Sequence, residues 1–296
     1  MTPARIMTPR GYWRAAPTWE RRDVTVCIAA ACDMAPDRER KIVLCFDWKV
    51  STAIGSSETK YKMKHLGKDW VALWSGNESD IMLLGNLFEK EFRGATDIDE
   101  TNAVQLVRNG ISLRKREKAE ELTQGRFALS YDDFLKIGKN RLPSDLYRDT
   151  LSEIGNLRLG AQAIVCGFTA SDVMIIETDE EGKVALTEDF AAIGEGAYLA
   201  QSVLLQRGHI DSRKLDETLY VAYEAKRYAE RVSSVGKRTT IFILSPTQPL
   251  LMVYDAGLDF LSQMFDQFGP KNLPKDIELK PQFLGTLKGA WEARSS

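Results

Sequence analysis

Histidine and cysteine are scarce in this chain, with 2 and 4 copies among 296 residues. With only His65 and His209, and with no CxxC pair, the sequence offers no ligand set for a structural zinc; neither a metal nor any other cofactor is expected. Cys27, Cys32, Cys45 and Cys166 fall mostly in apolar, strand-like runs, which suits reduced thiols in the core of a cytoplasmic protein. No apolar stretch approaches the ~18 residues that a membrane span needs. An excess of either charge is missing too. The formal net charge is -2, and lysines and arginines are interspersed with acids, so no basic field exists to hold nucleic acid. There is also no Pro/Gly/Ser-rich linker, and a 44% hydrophobic content therefore reads as one large core with appendages.

The segment Met1 to Asp23 carries five arginines, three prolines and two tryptophans without the apolar stretch of a secretory signal. It reads either as a disordered tail or as sequence upstream of the true start. In the second reading Val24 is a start codon translated as methionine, giving Met-Thr-Val-Cys, and methionine removal exposes the amine of Thr25. The distinction matters because a threonine hydroxyl is a poor nucleophile without an adjacent base. A free α-amine, with a pKa of about 7.7–8.0, supplies one when threonine begins the chain. In the chain as written Thr25 is internal, and its nitrogen is an amide without basicity.

Apolar patterning predicts a hairpin from Thr25 to Cys32 and Lys41 to Asp47, then strands Lys60 to Leu66 and Trp70 to Ser75 around the turn Gly67-Lys68-Asp69. Helices follow at about 79 to 93, capped by Asn77 or Ser79, and at about 102 to 124, whose charged half, Arg114 to Glu121, reads as a solvated face. Residues 129 to 157 are mostly helical with a break at Leu142-Pro143. The second half gives strands Ala161 to Phe168, Val173 to Thr178, Lys183 to Leu186 and Phe190 to Ile193. A helix then starts at Gly194-Glu195-Gly196, and a longer one, capped by Asp211-Ser212, carries the stripe Leu215, Leu219, Ala222, Ala225, Ala229 and Val232. Strands Thr239 to Leu244 and Leu250 to Tyr254 close the pattern. Hairpin groups each followed by amphipathic helices are best buried as two stacked, mostly antiparallel sheets with helices outside both, a four-layer αββα sandwich of the α+β class.

Thr25-Val-Cys-Ile-Ala-Ala, Leu44-Cys-Phe-Asp47-Trp-Lys-Val-Ser51, Lys62-Met-Lys-His-Leu66 and Ala72-Leu-Trp-Ser-Gly76, in this order and spacing, resemble a proteasome β-type subunit of the N-terminal-nucleophile hydrolase superfamily. The strand Gly160 to Gly167, the run Phe190-Ala-Ala-Ile-Gly194-Glu-Gly196 and the helix ending before Gly236 resemble that family's second half. The likeness covers residues 24 to 245, within a domain taken as 24-256 that carries a helical insert at about 110-155. Residues 1-23 and 257-296 are extensions. It implies Thr25 as nucleophile, Lys62 as the catalytic lysine and Asp47 as the acid that orients it. Alternation alone does not choose among Lys60, Lys62 and Lys64. Ser51 matches a position whose backbone pairs with an extended substrate, and Leu73 falls where the family has the glycine whose N–H stabilises the oxyanion.

The chain departs from the family at three points. Glu195 replaces a serine between two glycines, leaving a carboxylate that could accept a proton or repel an oxyanion. The family's aspartate has no match in Val232-Ser233-Ser234-Val235-Gly236, where Ser233 or Ser234 is the candidate replacement, and Leu73 narrows the oxyanion site. Two functions remain open. One is a threonine-type peptidase or small-molecule amidohydrolase. The alternative is a catalytically inactive subunit that builds or gates a homo-oligomeric ring, with an ATPase as a conceivable partner. The amphipathic run Phe260, Leu261, Met264, Phe265 and Phe268 either packs as an extra helix or docks a neighbour.

Overall fold

The computed structural model describes residues 25–34, 39–51, 56–58, 62–67, 69–170 and 172–269, together with the backbone of three short strands at 5–7, 13–15 and 284–286. The predicted N-terminal extension and residues 270–296 otherwise lie outside the described residues, as does Lys60. Strands β1 (Arg5–Met7) and β2 (Trp13–Ala15) pair with each other. The first hairpin is β3 (Cys27–Met34) and β4 (Glu39–Asp47), and a two-stranded ribbon of β5 (Lys49–Ser51) and β6 (Ser56–Glu58) follows. Strands β7 (Met63–Gly67) and β8 (Trp70–Gly76) lead into helices α1 (Glu78–Arg93), α2 (Glu100–Phe127), α3 (Tyr131–Arg141) and α4 (Ser144–Gly155). Next come β9 (Ala161–Phe168), β10 (Val173–Thr178), β11 (Val184–Thr187), β12 (Phe190–Ile193), α5 (Ala197–Gln206) and α6 (Leu215–Ala229). Strands β13 (Thr239–Leu244) and β14 (Leu251–Val253), helix α7 (Asp255–Phe268) and strand β15 (Leu284–Thr286) complete the order.

The protein is of mixed α+β class with two large antiparallel sheets. One runs β11-β10-β9-β8-β7 and the other β12-β3-β4-β13-β14-β15. Each sheet therefore takes strands from both halves of the chain, a division that local hairpin patterns do not reveal. Period-two alternation sends residues of β3 and β4 to two different cores. Cys27, Ala29, Leu44 and Phe46 meet Val71, Leu73, Ile164 and Ile175 of the other sheet. Val26, Ile28, Val43 and Cys45 instead meet Leu219, Ala222 and Ala225 of α6 and Leu261 of α7. A third cluster joins Ala72, Trp74, Ala163 and Val165 to Leu84 and Phe88 of α1 and Val107 of α2. Helix α7 thus packs on the body of its own chain. No helix among the described residues is long and apolar enough to cross a membrane.

Two helical expectations need correction. The charged half of α2 is not simply solvated: Arg114 is buried, with its guanidinium on Asp80, Glu117 and Glu121 at 3.1–3.2 Å. Its burial clamps α2 to α1, because a buried cation requires carboxylate partners. Helix α6 begins at Leu215, after Lys214, and has no side-chain cap bond. Asp211 is drawn away to Arg40, with an oxygen 2.6 Å from the guanidinium. At the other helix in question, Asn77 caps α1 by accepting the Ser79 N–H at 2.9 Å.

Candidate active site

The entry to β3 and the exit of β4 lie side by side, and the backbone of residue 47 donates to the Val26 carbonyl at 3.3 Å. This sets Thr25 and Asp47 at one end of the sheet. Lys62 reaches the same place from the facing sheet, because the Trp74 N–H of β8 holds the Lys62 carbonyl at 2.9 Å, just before β7 begins. The three side chains meet. The Thr25 hydroxyl donates to Asp47 Oδ1, the Lys62 ammonium donates to the Thr25 Oγ1, and Lys62 Nζ lies 3.1 Å from Asp47 Oδ1. Thr25 and Asp47 are buried, and the Lys62 side chain is 10% exposed.

Asp47 is tied down by more than its ion pair. Its Oδ1 also accepts the Val26 N–H at 3.0 Å, while Oδ2 accepts the N–H of Lys49 at 3.1 Å and of Gly236 at 2.7 Å. A fully buried carboxylate is tolerable when several donors and a cation surround it. Lys62 in turn stays at Thr25 because that carboxylate faces it. Cys27 lies beside the same lysine, yet burial pushes its thiol up to about 12 against the opposing pull of Lys62. It donates to the Trp74 carbonyl at 3.3 Å and remains a neutral core group.

The Thr25 carbonyl accepts the Gly196 N–H at 3.1 Å. Gly194, with φ +92°, passes so close that a Cβ there would stand 2.4 Å from the Thr25 carbonyl oxygen, so only glycine fits. The Gly194 N–H donates to Gln162 Oε1 at 3.0 Å. Gly194 also lines a cleft of about 300 Å³, together with Ser75, Gly76, Gln162, Glu195 and the acidic turn Asp179 to Glu181. Arg158 lines it too and lies 3.5 Å from Glu180. Glu195 itself makes no hydrogen bond or ion pair to a described residue and stands at the cleft rather than on Thr25.

Leu73 is elsewhere. It is fully buried between the sheets, opposite Met63 and Ile164, so its registration as the oxyanion residue is corrected. The backbone instead singles out Gly76, three residues on. The Trp74 N–H points to Lys62 and the Asn77 N–H to the Gly160 carbonyl at 2.8 Å, so strand alternation turns the Gly76 N–H to the Lys62 side. Gly76 has φ +132°, and a Cβ would lie 2.5 Å from Ala161 Cα, which explains the glycine.

The hydroxyls of Ser233 and Ser234 do not bond to Thr25, Asp47 or Lys62. Ser233 contributes its carbonyl to Lys49 Nζ at 2.8 Å, and Ser234 Oγ is buried without a partner. What this turn brings to the site is a backbone donor, Gly236 N–H, which no side-chain pattern announces. Ser51 ends β5 and pairs through its backbone with Ser56; its side chain lies outside the described residues. No protein-family model and no curated protein matches the chain.

Proposed function

We propose that this protein is a threonine-type N-terminal-nucleophile amide hydrolase, folded as a four-layer αββα sandwich and active once Thr25 begins the chain. What carries the reading is the shared contact of Lys62 with both the Thr25 hydroxyl and the Asp47 carboxylate in a buried position. The freed α-amine of Thr25 takes the Oγ proton as Oγ attacks the carbonyl carbon of a peptide or small amide. The Lys62 ammonium donates to the oxygen as it gains negative charge, and Asp47 keeps that ammonium in place. The carbonyl oxygen, now negative, is received by the Gly76 N–H, a type of contact worth roughly 2.7–4 kcal/mol to the transition state. As the tetrahedral intermediate collapses, the C–N bond breaks and the amine nitrogen of Thr25 returns its proton to the leaving group. Water then hydrolyses the threonine ester, and the proton it loses passes through the same amine to restore the hydroxyl.

The cleft beyond Gly194 is where a substrate chain extends from this centre, and four free, buried thiols suit a cytoplasmic setting. The resemblance to proteasome β-type subunits adds a homo-oligomeric ring to the proposal. An α′,β′-epoxyketone peptide tests it, because its two electrophilic carbons require a hydroxyl and a free amine on a single residue. A chain made to begin Met-Thr25 is expected to gain the adduct on Thr25, and Thr25→Ala to gain none. No Thr25-dependent adduct would leave the inactive ring subunit as the reading.

A further inference from the structure

Helix α6 carries an apolar stripe, and one member of the buried set is a lysine. Lys226 has no exposed surface and packs near the Cys45 thiol at the back of β4. An ammonium placed there is strongly destabilising unless it is fully partnered. Its partners are specific: Glu230 Oε1 at 2.6 Å and the carbonyl of Lys237 at 2.7 Å. Burial lowers its pKa, and the Glu230 carboxylate opposes that shift.

Lys237 follows Gly236, whose N–H is held on Asp47 Oδ2 at 2.7 Å. Val235, just before it, is buried against Gly196, where a Cβ would stand 2.7 Å from Val235 Cγ2. Gly196 in turn donates to the Thr25 carbonyl. The turn from 233 to 237 therefore bonds the acid of the site directly and reaches the nucleophile through Gly196, and the Lys226 ammonium fixes its far end to α6. An alanine or leucine at position 226 would continue the stripe but leave the Lys237 carbonyl without this donor.

We propose that Lys226 is a positioning residue for the Thr25–Asp47–Lys62 site, acting through the Lys237 carbonyl and the Gly236 N–H on Asp47. This rests on the threonine-nucleophile reading. The test compares wild type with Lys226→Met, which fills a similar volume without donors, and Lys226→Gln, which keeps a neutral N–H. Each protein is produced from the full gene, and the rate and half-saturation of epoxyketone labelling at Thr25 are measured beside the melting temperature and hydrogen exchange at Gly236.

Lys226→Met is expected to lower the maximal labelling rate at least tenfold, to leave half-saturation within twofold, and to speed Gly236 exchange. Lys226→Gln is expected to recover part of the rate. A labelling rate within twofold of wild type in Lys226→Met overturns the inference, as does a half-saturation that rises in step with the loss. If Lys226→Met does not fold, Lys226→Leu, which also lacks a donor, is read in its place, and a rate and Gly236 exchange equal to wild type overturn the inference. Wild-type protein that begins at Thr25 yet is never labelled there overturns the parent reading, and the positioning role with it.

Discussion

Replacing Asp47 by asparagine changes one atom and leaves at least one buried backbone donor without an acceptor. Three donors converge on Oδ1 (the Thr25 hydroxyl, the Val26 N–H and Lys62) and two on Oδ2 (the N–H groups of Lys49 and Gly236). With the asparagine oxygen toward the first group, its NH2 confronts the Lys49 and Gly236 N–H groups. With the amide flipped, its NH2 confronts the Val26 N–H and the Lys62 ammonium, while the Thr25 hydroxyl is free to rotate. Each buried donor left unpaired costs about 1–3 kcal/mol, so with one to two donors stranded Asp47→Asn is expected to lose roughly 1–6 kcal/mol of stability. That is a large share of the 5–15 kcal/mol typical of a folded domain. Equilibrium urea unfolding gives the measurement, with the slope expected unchanged and the midpoint lowered. Glu181→Gln serves as the control, since Glu181 is exposed and, among the described residues, pairs with an exposed lysine; its change should stay within about 0.5 kcal/mol. A loss under about 1 kcal/mol for Asp47→Asn would refute the idea that this carboxylate organises the end of the sheet.

Gly194→Ala forces a Cβ against the Thr25 carbonyl at a positive φ, and a loss of at least about 2 kcal/mol in denaturant unfolding, together with loss of Thr25 labelling, is expected. Glu195→Gln removes a carboxylate that lines the cleft; KM for lysine- or arginine-bearing peptide amides should rise several-fold at low salt, with neutral peptides unaffected. Burial raises the pKa of Glu177, so its folded-state carboxyl holds its proton to higher pH than the unfolded one. Stability should therefore fall as pH rises from 4.5 through the folded value; Glu177→Gln should melt higher than wild type at pH 7, and the advantage should vanish below pH 4.5. All four thiols are buried, and burial pushes Cys27, Cys32 and Cys45 up to about 12; a thiol reagent should find none of them reactive at pH 8 until denaturant is added.

Much of the strand and helix order was legible because each sheet buries both faces and its helices carry clear stripes. The choice of lysine was not. Lys62 and Lys64 would share a face in a regular strand, yet Lys64 lies 2.8 Å from Glu89 of α1 while Lys62 turns to Thr25. Strand β7 begins at Met63, and Lys62 lies just before it. Leu73 was misregistered for a related reason. The apolar run of β8 carries no mark of where its end opens, and only the alternation of hydrogen bonds at Trp74 and Asn77 points to Gly76. Backbone donors such as Gly236 N–H leave no trace in residue chemistry. Lys226 hides inside an apolar stripe, where sequence pattern sees a helix face and misses its buried partners. Arg114 is the same case on α2: a charge run looks solvated until tertiary packing closes over it.

The proposed chemistry requires a free amine on Thr25, and the most direct measurement is the N-terminal sequence and intact mass of mature protein purified from its native gene. The account predicts that the chain begins at Thr25. A mature chain in which another residue still precedes Thr25 would contradict it.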